Sequence, residues 1–359
     1  MPTVAEILSR LDEHVPTASA AWDPAGLQLG DPTAHVASVA VCHEVNSGVV
    51  DEVESAKPDL LVTYHPLLFR PSNRLVAGTS AQGRAWRLIR AGVSLAVAHT
   101  SFDAASGGTS EALAGALDLV DLRPFGPVGP AKSVKIVTFV PPTHVDEVTA
   151  AMVAAGAGRI GNYSGCSFRT SGVGAFDAGD GTAPVVGSAG SNRVDEVRIE
   201  MLASPSVADA AVAAMVSVHP YEEPAYDTYE TTSNGGFIGR VGSWTGSFDE
   251  LVAAAGASLG STGMRVTRGS DQASTVAVLP GSGSSFISAA ASVGAHVLVT
   301  GDVDHHRAIE ARDRGLSIID PGHAATERPS MTALAHLVAA VSGDVEVLDL
   351  TGLDPTPWR

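Results

Sequence analysis

Four apolar runs in this chain end on imidazoles or carboxylates. "DLLVTYHPLLFRP" delivers Tyr64 and His65 before Pro66 stops the run, and "LAVAHTSFD" delivers His99 and Asp103. "VLVTGDVDHH" delivers Asp302, His305 and His306, and "IIDPGHAATE" delivers His323 and Glu327. These are metal-ligand types. A mixed nitrogen and oxygen set without thiolates suits zinc, manganese or iron(II) and does not choose among them. His323 and Glu327 are four residues apart, as are His99 and Asp103, so on a helix each pair shares a face. Either carboxylate could bridge two ions through its two oxygens. Taken singly, a histidine at a strand end is more often a hydrogen-bonded core or surface group. The set of His65, Asp103, His323 and Glu327 is what points to metal binding. In the "DHH" cluster, Asp304 and His305 read as solvated, and His306 as a group that orients a ligand through its other nitrogen.

The elements that carry these residues alternate. "SVAVCHEV" (38–45) reads as a strand, Asn46 as the cap of a helix bearing Val49, Val50 and Val53, and "DLLVTYH" as the next strand. A helix around Trp86, Leu88 and Ile89 ends near Gly92, "VSLAVAH" (93–99) is a strand, and "TSEALAGALDL" is a helix. Alternation with continuous apolar strands predicts a mainly parallel α/β sheet, and such sheets bind ligands at the carboxyl ends of their strands. Around "RPFGPVGPAK" (123–132), three prolines and two glycines read as a linker. Beyond it come strand "SVKIVTFVP", a helix with Thr143 as its cap, a Gly/Ser-rich stretch of short strands over 158–190, strand "DEVRIEMLAS", helix "SVADAAVAAMVSVHP" and strand "AYDTYETT". The order β-α-β-β-α-β predicts a ferredoxin-like α+β domain. From "GGFIGRVGSW" the first pattern returns, with a helix over 248–258 and strands "MRVTR", "STVAVLP", "AHVLVT" and "LSIID". The expected domains are a core from residues 1–131 and 234–359, and an insertion at 132–233.

Composition narrows the function classes. The 359-residue chain is 45% hydrophobic and 17% charged, so it is globular rather than disordered. Its net charge of −17 repels phosphate backbones and anionic membranes, which argues against nucleic acid as a partner. No apolar run approaches the ~20 residues of a membrane span. Cys42 and Cys166 form no CxxC pair, which argues against a cysteine zinc site and fits a reducing, cytoplasmic setting. Both read as small buried residues rather than nucleophiles. "MPTVAEILSRLDEHVP" lacks signal-peptide regions and reads as an amphipathic helix, with Thr3 and Glu6 as a capping box.

Two loops stay open at this point. "LPGSGSSF" (279–286) joins a strand to a helix, and its amides could cradle a phosphate or form an ordinary capped turn. "WDPAGLQLGDP" (22–32) carries Asp23, Gln28 and Asp31, either in a turn or at a substrate.

Several stretches in order resemble one family across almost the whole chain: "WDPAGLQLGDP", "YHPLLF", "AHTSFDAASGG", "GRIGNYSGCSFRTSGVGAF", "HPYEEPAYD", "TGDVDHHRA" and "DPGHAATE". The chain resembles the GTP cyclohydrolase 1 type 2 homologs, the Nif-three-like dinuclear metal proteins. "HPYEEPAYD" belongs to the insertion of the longer members, which looks like the small trimer-forming signalling-protein domains. The resemblance implies a layered α/β core built from both chain ends, one or two divalent ions per subunit and a ring-shaped homohexamer. By resemblance, His65, Asp103 and Glu327 match the ligands of one ion and His323 and Glu327 those of the other, with Glu327 bridging. The family carries two adjacent histidines before Pro-Leu, and here the first of them is Tyr64. A family aspartate appears as Glu44. Tyr64 could bind metal only as a phenolate, and its ordinary pKa of ~10 argues for a weakened second site.

Two functions follow. One is a metal-dependent hydrolase acting on a nucleotide or similar phosphorylated heterocycle, with His99 or His306 moving protons and Arg70, Arg74 and Arg307 near the anionic substrate. The other is a metal-binding or scaffold ring without turnover, since an activity label inherited through resemblance is weak evidence.

Overall fold

A computed structural model describes residues 1–15, 23–128, 131–160, 163–205, 207–233, 236–261 and 263–353. The chain forms two compact units, Met1–Gly129 with Gly235–Arg359, and Pro130–Asn234.

The first unit opens with α1 (Val4–His14), whose first turn is closed by the Thr3–Glu6 capping box. Then follow β1 (Gly26–Leu29), β2 (Ser38–Cys42), α2 (Ser47–Ala56, capped by Asn46), β3 (Leu60–Thr63), α3 (Ala81–Ala91), β4 (Ser94–Val97), α4 (His99–Ala104), α5 (Thr109–Ala116) and β5 (Val120–Pro127). The stretch expected as a linker is therefore partly a strand. Pro124 and Pro127 are tolerated because β5 is the edge of its sheet, where among the described residues it pairs with β10 alone.

The second unit runs β6 (Ala131–Val140), α6 (Val145–Ala154), β7 (Ser167–Ala178), β8 (Gly190–Ala203), α7 (Ala208–Val218) and β9 (Tyr226–Ser233). Its antiparallel sheet has the order β7-β8-β6-β9. Ile136, Ile199 and Met201 of the sheet pack with Val148 and Met152 of α6 and Met215 of α7. Two details differ from expectation. Thr143 does not cap α6: it lies in a 3₁₀ turn, Pro142–His144, and its hydroxyl meets the His144 ring. The Gly/Ser-rich stretch contains one 12-residue strand, β7, rather than several short ones. Most of β7 is exposed, so no apolar alternation marks its length.

The chain then returns to the first unit with β10 (Phe237–Ser243), α8 (Phe248–Ser258), β11 (Arg265–Thr267), β12 (Thr275–Ser282), α9 (Ile287–Ser292), β13 (Val297–Gly301), α10 (His305–Asp313), β14 (Ser317–Asp320), α11 (His323–Glu327), α12 (Met331–Ser342) and β15 (Glu346–Asp349). Here the expectation of one sheet fails, because the strands divide between two. One has the order β1-β4-β3-β2-β15, the other β11-β14-β13-β12-β10-β5. Each has a parallel centre, β4-β3-β2-β15 in the first and β12-β13-β14 in the second. A continuous apolar run reports burial on both faces but not which strand lies beside it.

Alternate residues serve the two faces of each parallel centre. Val39, Val41, Leu60 and Val62 pack on α1 and α12, while Ala40, Cys42, Leu61 and Leu95 pack on α2 and α3. In the other sheet Leu279, Leu298 and Ile318 meet α9 and α10, and Val276, Val278, Val297 and Ile319 meet α5 and α8. Each fully buried Leu, Val or Ile contributes about 1.5–3 kcal/mol. Among the described residues, no helix is long and apolar enough to cross a membrane.

Cys42 is wholly buried in this packing, and burial pushes its thiol up to about 12. Thiolate is the reactive form, so at pH 8 Cys42 is expected to resist a thiol reagent in the native protein. Cys166, partly exposed, is expected to react first, with Cys42 labelled only on unfolding. Rapid native labelling at Cys42, read by mass spectrometry of peptides, would contradict this packing.

Candidate metal centre

The ladder of the first sheet continues past its strand ends. Register places Cys42 beside Thr63, and the next residues keep pairing: Tyr64 N–H donates to Cys42 O at 3.1 Å and His65 N–H to His43 O at 2.9 Å. Ala98 N–H donates to Thr63 O at 2.9 Å and His99 N–H to Tyr64 O at 3.0 Å. His43, Tyr64, His65 and His99 are thus set side by side at one carboxyl edge.

The second sheet supplies the carboxylate. Asp320, at the end of β14, accepts from Gly322 N–H at 3.0 Å and from Val303 N–H at 3.1 Å, which ties the turns after β13 and β14 together. Gly281 N–H donates to Thr326 Oγ1 at 2.8 Å, docking α11 on β12. Gly281 has φ +62°, and a Cβ there would lie 2.7 Å from Glu327 Oε1. A second amide of the "LPGSGSSF" loop, Gly283 N–H, donates to Thr300 Oγ1 at 2.9 Å. These two amides are therefore engaged by threonine hydroxyls, one fastening the stretch to α11 and the other to β13.

The two edges meet at Glu327, only 2% exposed. His43 Nε2 and His65 Nε2 each lie 3.0 Å from its Oε2, and His323 Nε2 lies 3.0 Å from its Oε1. Ligand atoms of His43, His65 and Glu327 all fall within 4.8 Å of one another. On its other side His323 Nδ1–H donates to Asp302 Oδ2 at 2.7 Å, the carboxylate–imidazole pairing that orients metal-bound histidines. Burial alone would raise Glu327, but the charge of His65 and hydrogen bonds from His323, His43 and His65 hold it well below the usual carboxylate range. Burial opposes charge on His323, yet its bonds to Glu327 and Asp302 bring it up to about 9.

This donor set fits a divalent ion. One buried carboxylate needs one positive partner, and three imidazoles face it. His43 and His65 can each meet Oε2 as neutral imidazoles protonated on Nε2, so they demand no ion by themselves. His323 differs: its Nδ1–H donates to Asp302, so a neutral ring turns the Nε2 lone pair toward Oε1. A cation held by imidazole lone pairs and the carboxylate is a third way to satisfy the same donors.

The other expected residues are placed differently. Tyr64 is buried, and its hydroxyl donates to Asp103 Oδ1 at 2.6 Å. Burial first, then the charges of Asp103 and Glu327, push the phenol well above 10. Burial also drives Asp103 up to about 7, although the Tyr64 bond and His99 offset part of it. His99 lies at the rim, its ring 5.5 Å from that of His65, and Asp23 Oδ1 accepts from its Nδ1–H at 2.9 Å. Asp23 Oδ2 accepts in turn from Thr100 N–H at 3.2 Å. Burial resists a proton on His99, but the Asp23 hydrogen bond and charge outweigh it and raise its pKa. His306 is exposed on α10, its ring 5.5 Å from that of His305, and among the described residues it shows no contact with the Glu327 cluster. The "WDPAGLQLGDP" stretch is not a turn throughout, since its centre is β1: there Gln28 donates to Pro24 O and Leu68 O at 3.2 and 3.1 Å, while Asp31 beyond the strand accepts from Thr33 N–H at 2.8 Å.

Sequence reasoning missed His43 and the partner roles of Asp23 and Asp302. His43 was hidden by a strand read through to residue 45, whereas β2 stops at Cys42. Its signal was available: it is the residue one step past an apolar run, as His65 is.

Comparison with known proteins gives one consistent result. The family described as Duf34/NIF3 (NGG1p interacting factor 3) matches residues 2–352. A GTP cyclohydrolase 1 type 2 homolog of Mycobacterium leprae (strain TN) is 37% identical, over 99% of this chain and 95% of the relative. One from Bacillus subtilis (strain 168) is 35% identical, over 89% of this chain and 87% of the relative. Among solved structures, a Bacillus cereus protein related to NIF3 aligns with a TM-score of 0.72 at 33% identity, covering 100% of this chain and 99% of that one.

Proposed function

The chain belongs to the Duf34/NIF3 family, and from that premise we propose that it is a metal-dependent hydrolase acting on a nucleotide or related phosphorylated heterocycle, with its divalent ion at Glu327. One observation carries the reading: imidazoles from two separate sheets converge on one buried carboxylate. Glu327 together with imidazoles drawn from His43, His65 and His323 would hold the ion, and zinc, manganese and iron(II) all suit such a set. A divalent ion supplies Lewis acidity there, acidifying water and stabilising developing negative charge.

The chain's own residues do the rest. His99 stands beside the cluster as the group that moves a proton, and Asp23 is its positioning residue, holding Nδ1 so that Nε2 faces outward from the pair. Phe69 is half exposed, its ring 6.2 Å from His99, and offers a flat apolar face to a heterocycle. Arg70 and Arg74 are exposed and can meet phosphate, whereas Arg307 is engaged by Glu310 at 2.7 Å. His306 has no part in this reading.

The test is turnover of GTP by protein loaded with manganese, zinc or iron(II), followed by absorbance of the ring-opened product. Turnover is expected, with His99→Gln lowering kcat by roughly 10²–10⁴-fold and leaving KM nearly unchanged. No turnover above a Glu327→Ala control would sink the cyclohydrolase form of the proposal. One observation favours the second reading, a metal-binding or scaffold ring without turnover: Tyr64 buries a phenol against Asp103 where relatives are expected to carry an imidazole. The homohexamer and the cytoplasmic setting belong to this proposal too, and light scattering of the purified protein tests the former.

A further inference from the structure

We infer that the firm metal site of this chain holds a single ion, and that His43 rather than Asp103 is its third ligand beside His65 and Glu327. This rests on the metal reading above and specifies it. The two oxygens of Glu327 are served unequally. Oε2 receives two imidazole nitrogens, from His43 and His65, and Oε1 receives one, from His323. With the carboxylate oxygen included, the Oε2 side presents three protein donors and the Oε1 side two. Three protein donors hold a catalytic zinc with an open position, and structural sites use four. Two donors fall short of either.

Two further groups could have completed the poorer side or enlarged the richer one. Both are committed to each other. The Tyr64 hydroxyl donates to Asp103 Oδ1 at 2.6 Å, and both residues are buried. Moving Asp103 onto an ion would leave a buried phenol without its acceptor, at a cost of about 1–3 kcal/mol. Moving the phenol onto an ion would break the same bond from its donor side. His43 already directs its Nε2 at Glu327 Oε2, 3.0 Å away. It is 1% exposed, it follows β2 directly, and its backbone is fixed by the bond His65 makes to its carbonyl. Its ring therefore needs no rearrangement to share an ion with His65, whose ring centroid lies 5.0 Å away.

The experiment is metal content per chain after removal of loosely held ions, read with zinc, and with cobalt(II) as a spectroscopic probe of the nitrogen donors. The full chain is expected to retain one ion. His43→Leu and His43→Asn are each expected to lose affinity by more than about 100-fold and to lose the cobalt band, with far-UV circular dichroism unchanged. Asp103→Asn keeps an acceptor for Tyr64 and is expected to retain the ion. Two firmly held ions in the wild type would overturn the inference. So would retention in folded His43→Leu or in folded His43→Asn, or loss in folded Asp103→Asn. If Glu327→Gln holds as much metal as the wild type, the metal reading itself fails. If Glu327→Gln loses the ion and His43→Leu keeps it, only the assignment of His43 fails.

Discussion

Arg240→Ala is expected to destabilise the chain by about 3 kcal/mol, with a lower urea midpoint and little change in slope. Arg240 is 8% exposed in β10. Its guanidinium donates to Glu111 Oε1 at 3.0 Å, to Phe237 O at 3.0 Å and, more weakly, to Ala104 O and Ala105 O at 3.4 and 3.5 Å. It therefore fastens the end of α4, the start of α5 and β10 together. Removal leaves a carboxylate and several carbonyls short of donors. Glu111 is 32% exposed and regains some hydration, which keeps the figure at the low end of that for a broken buried pair. Arg240→Lys keeps the charge but not the fork, so it is expected to recover less than half of the loss. An Ala variant within about 0.5 kcal/mol of wild type, the usual range for surface changes, would show that these contacts are not structural. The same variant tests the site indirectly, because α4 carries both His99 and Asp103.

Gly281→Ala is the second large effect, and it falls on metal binding. The added Cβ would lie 2.7 Å from Glu327 Oε1 and 3.2 Å from His323 Nε2. Neither atom is the end of a floppy chain: they hold each other at 3.0 Å, while Glu327 is anchored through Oε2 and His323 through Nδ1. An alanine at φ +62° adds about 1–2 kcal/mol of backbone strain. Metal affinity is expected to fall by roughly 10–100-fold, the range seen when support for a ligand is disturbed. Gly92→Ala separates the two causes. It stands at φ +76° with nothing within 4 Å of its Cβ, so it carries the strain without the contact. It is expected to lose similar stability and keep the ion. Equal metal affinity in Gly281→Ala and wild type would remove the contact from the account of how Glu327 is placed.

Residue type and strand-end position singled out His65, His323 and Glu327, and the fold brings both imidazoles to 3.0 Å from the carboxylate. Apolar runs report burial well, and a polar residue just past such a run is conspicuous. Three things were not readable. Parallel strands of different sheets look alike, so the meeting of two edges at Glu327 could not be separated from convergence at one edge. His43 depended on where β2 stops, and strand ends are the least certain part of a periodicity argument. The Tyr64–Asp103 bond joins residues 39 apart, and nothing in either local pattern announces it. Edge strand β5 was lost for a related reason: its prolines are read as breaks, although an edge accommodates them.

The division of the cluster between two sheets also orders its assembly during synthesis. His65 and Glu327 are separated by 262 residues. At about 5–20 residues per second, a ribosome needs roughly 13–50 seconds to pass from one to the other. During that interval both N-terminal imidazoles exist without their carboxylate. The first sheet is itself incomplete, because β15 joins β2 only after Glu327 has been made. The site is therefore among the last features of this chain to come into being, and a nascent chain offers a metal ion no more than scattered histidines until then.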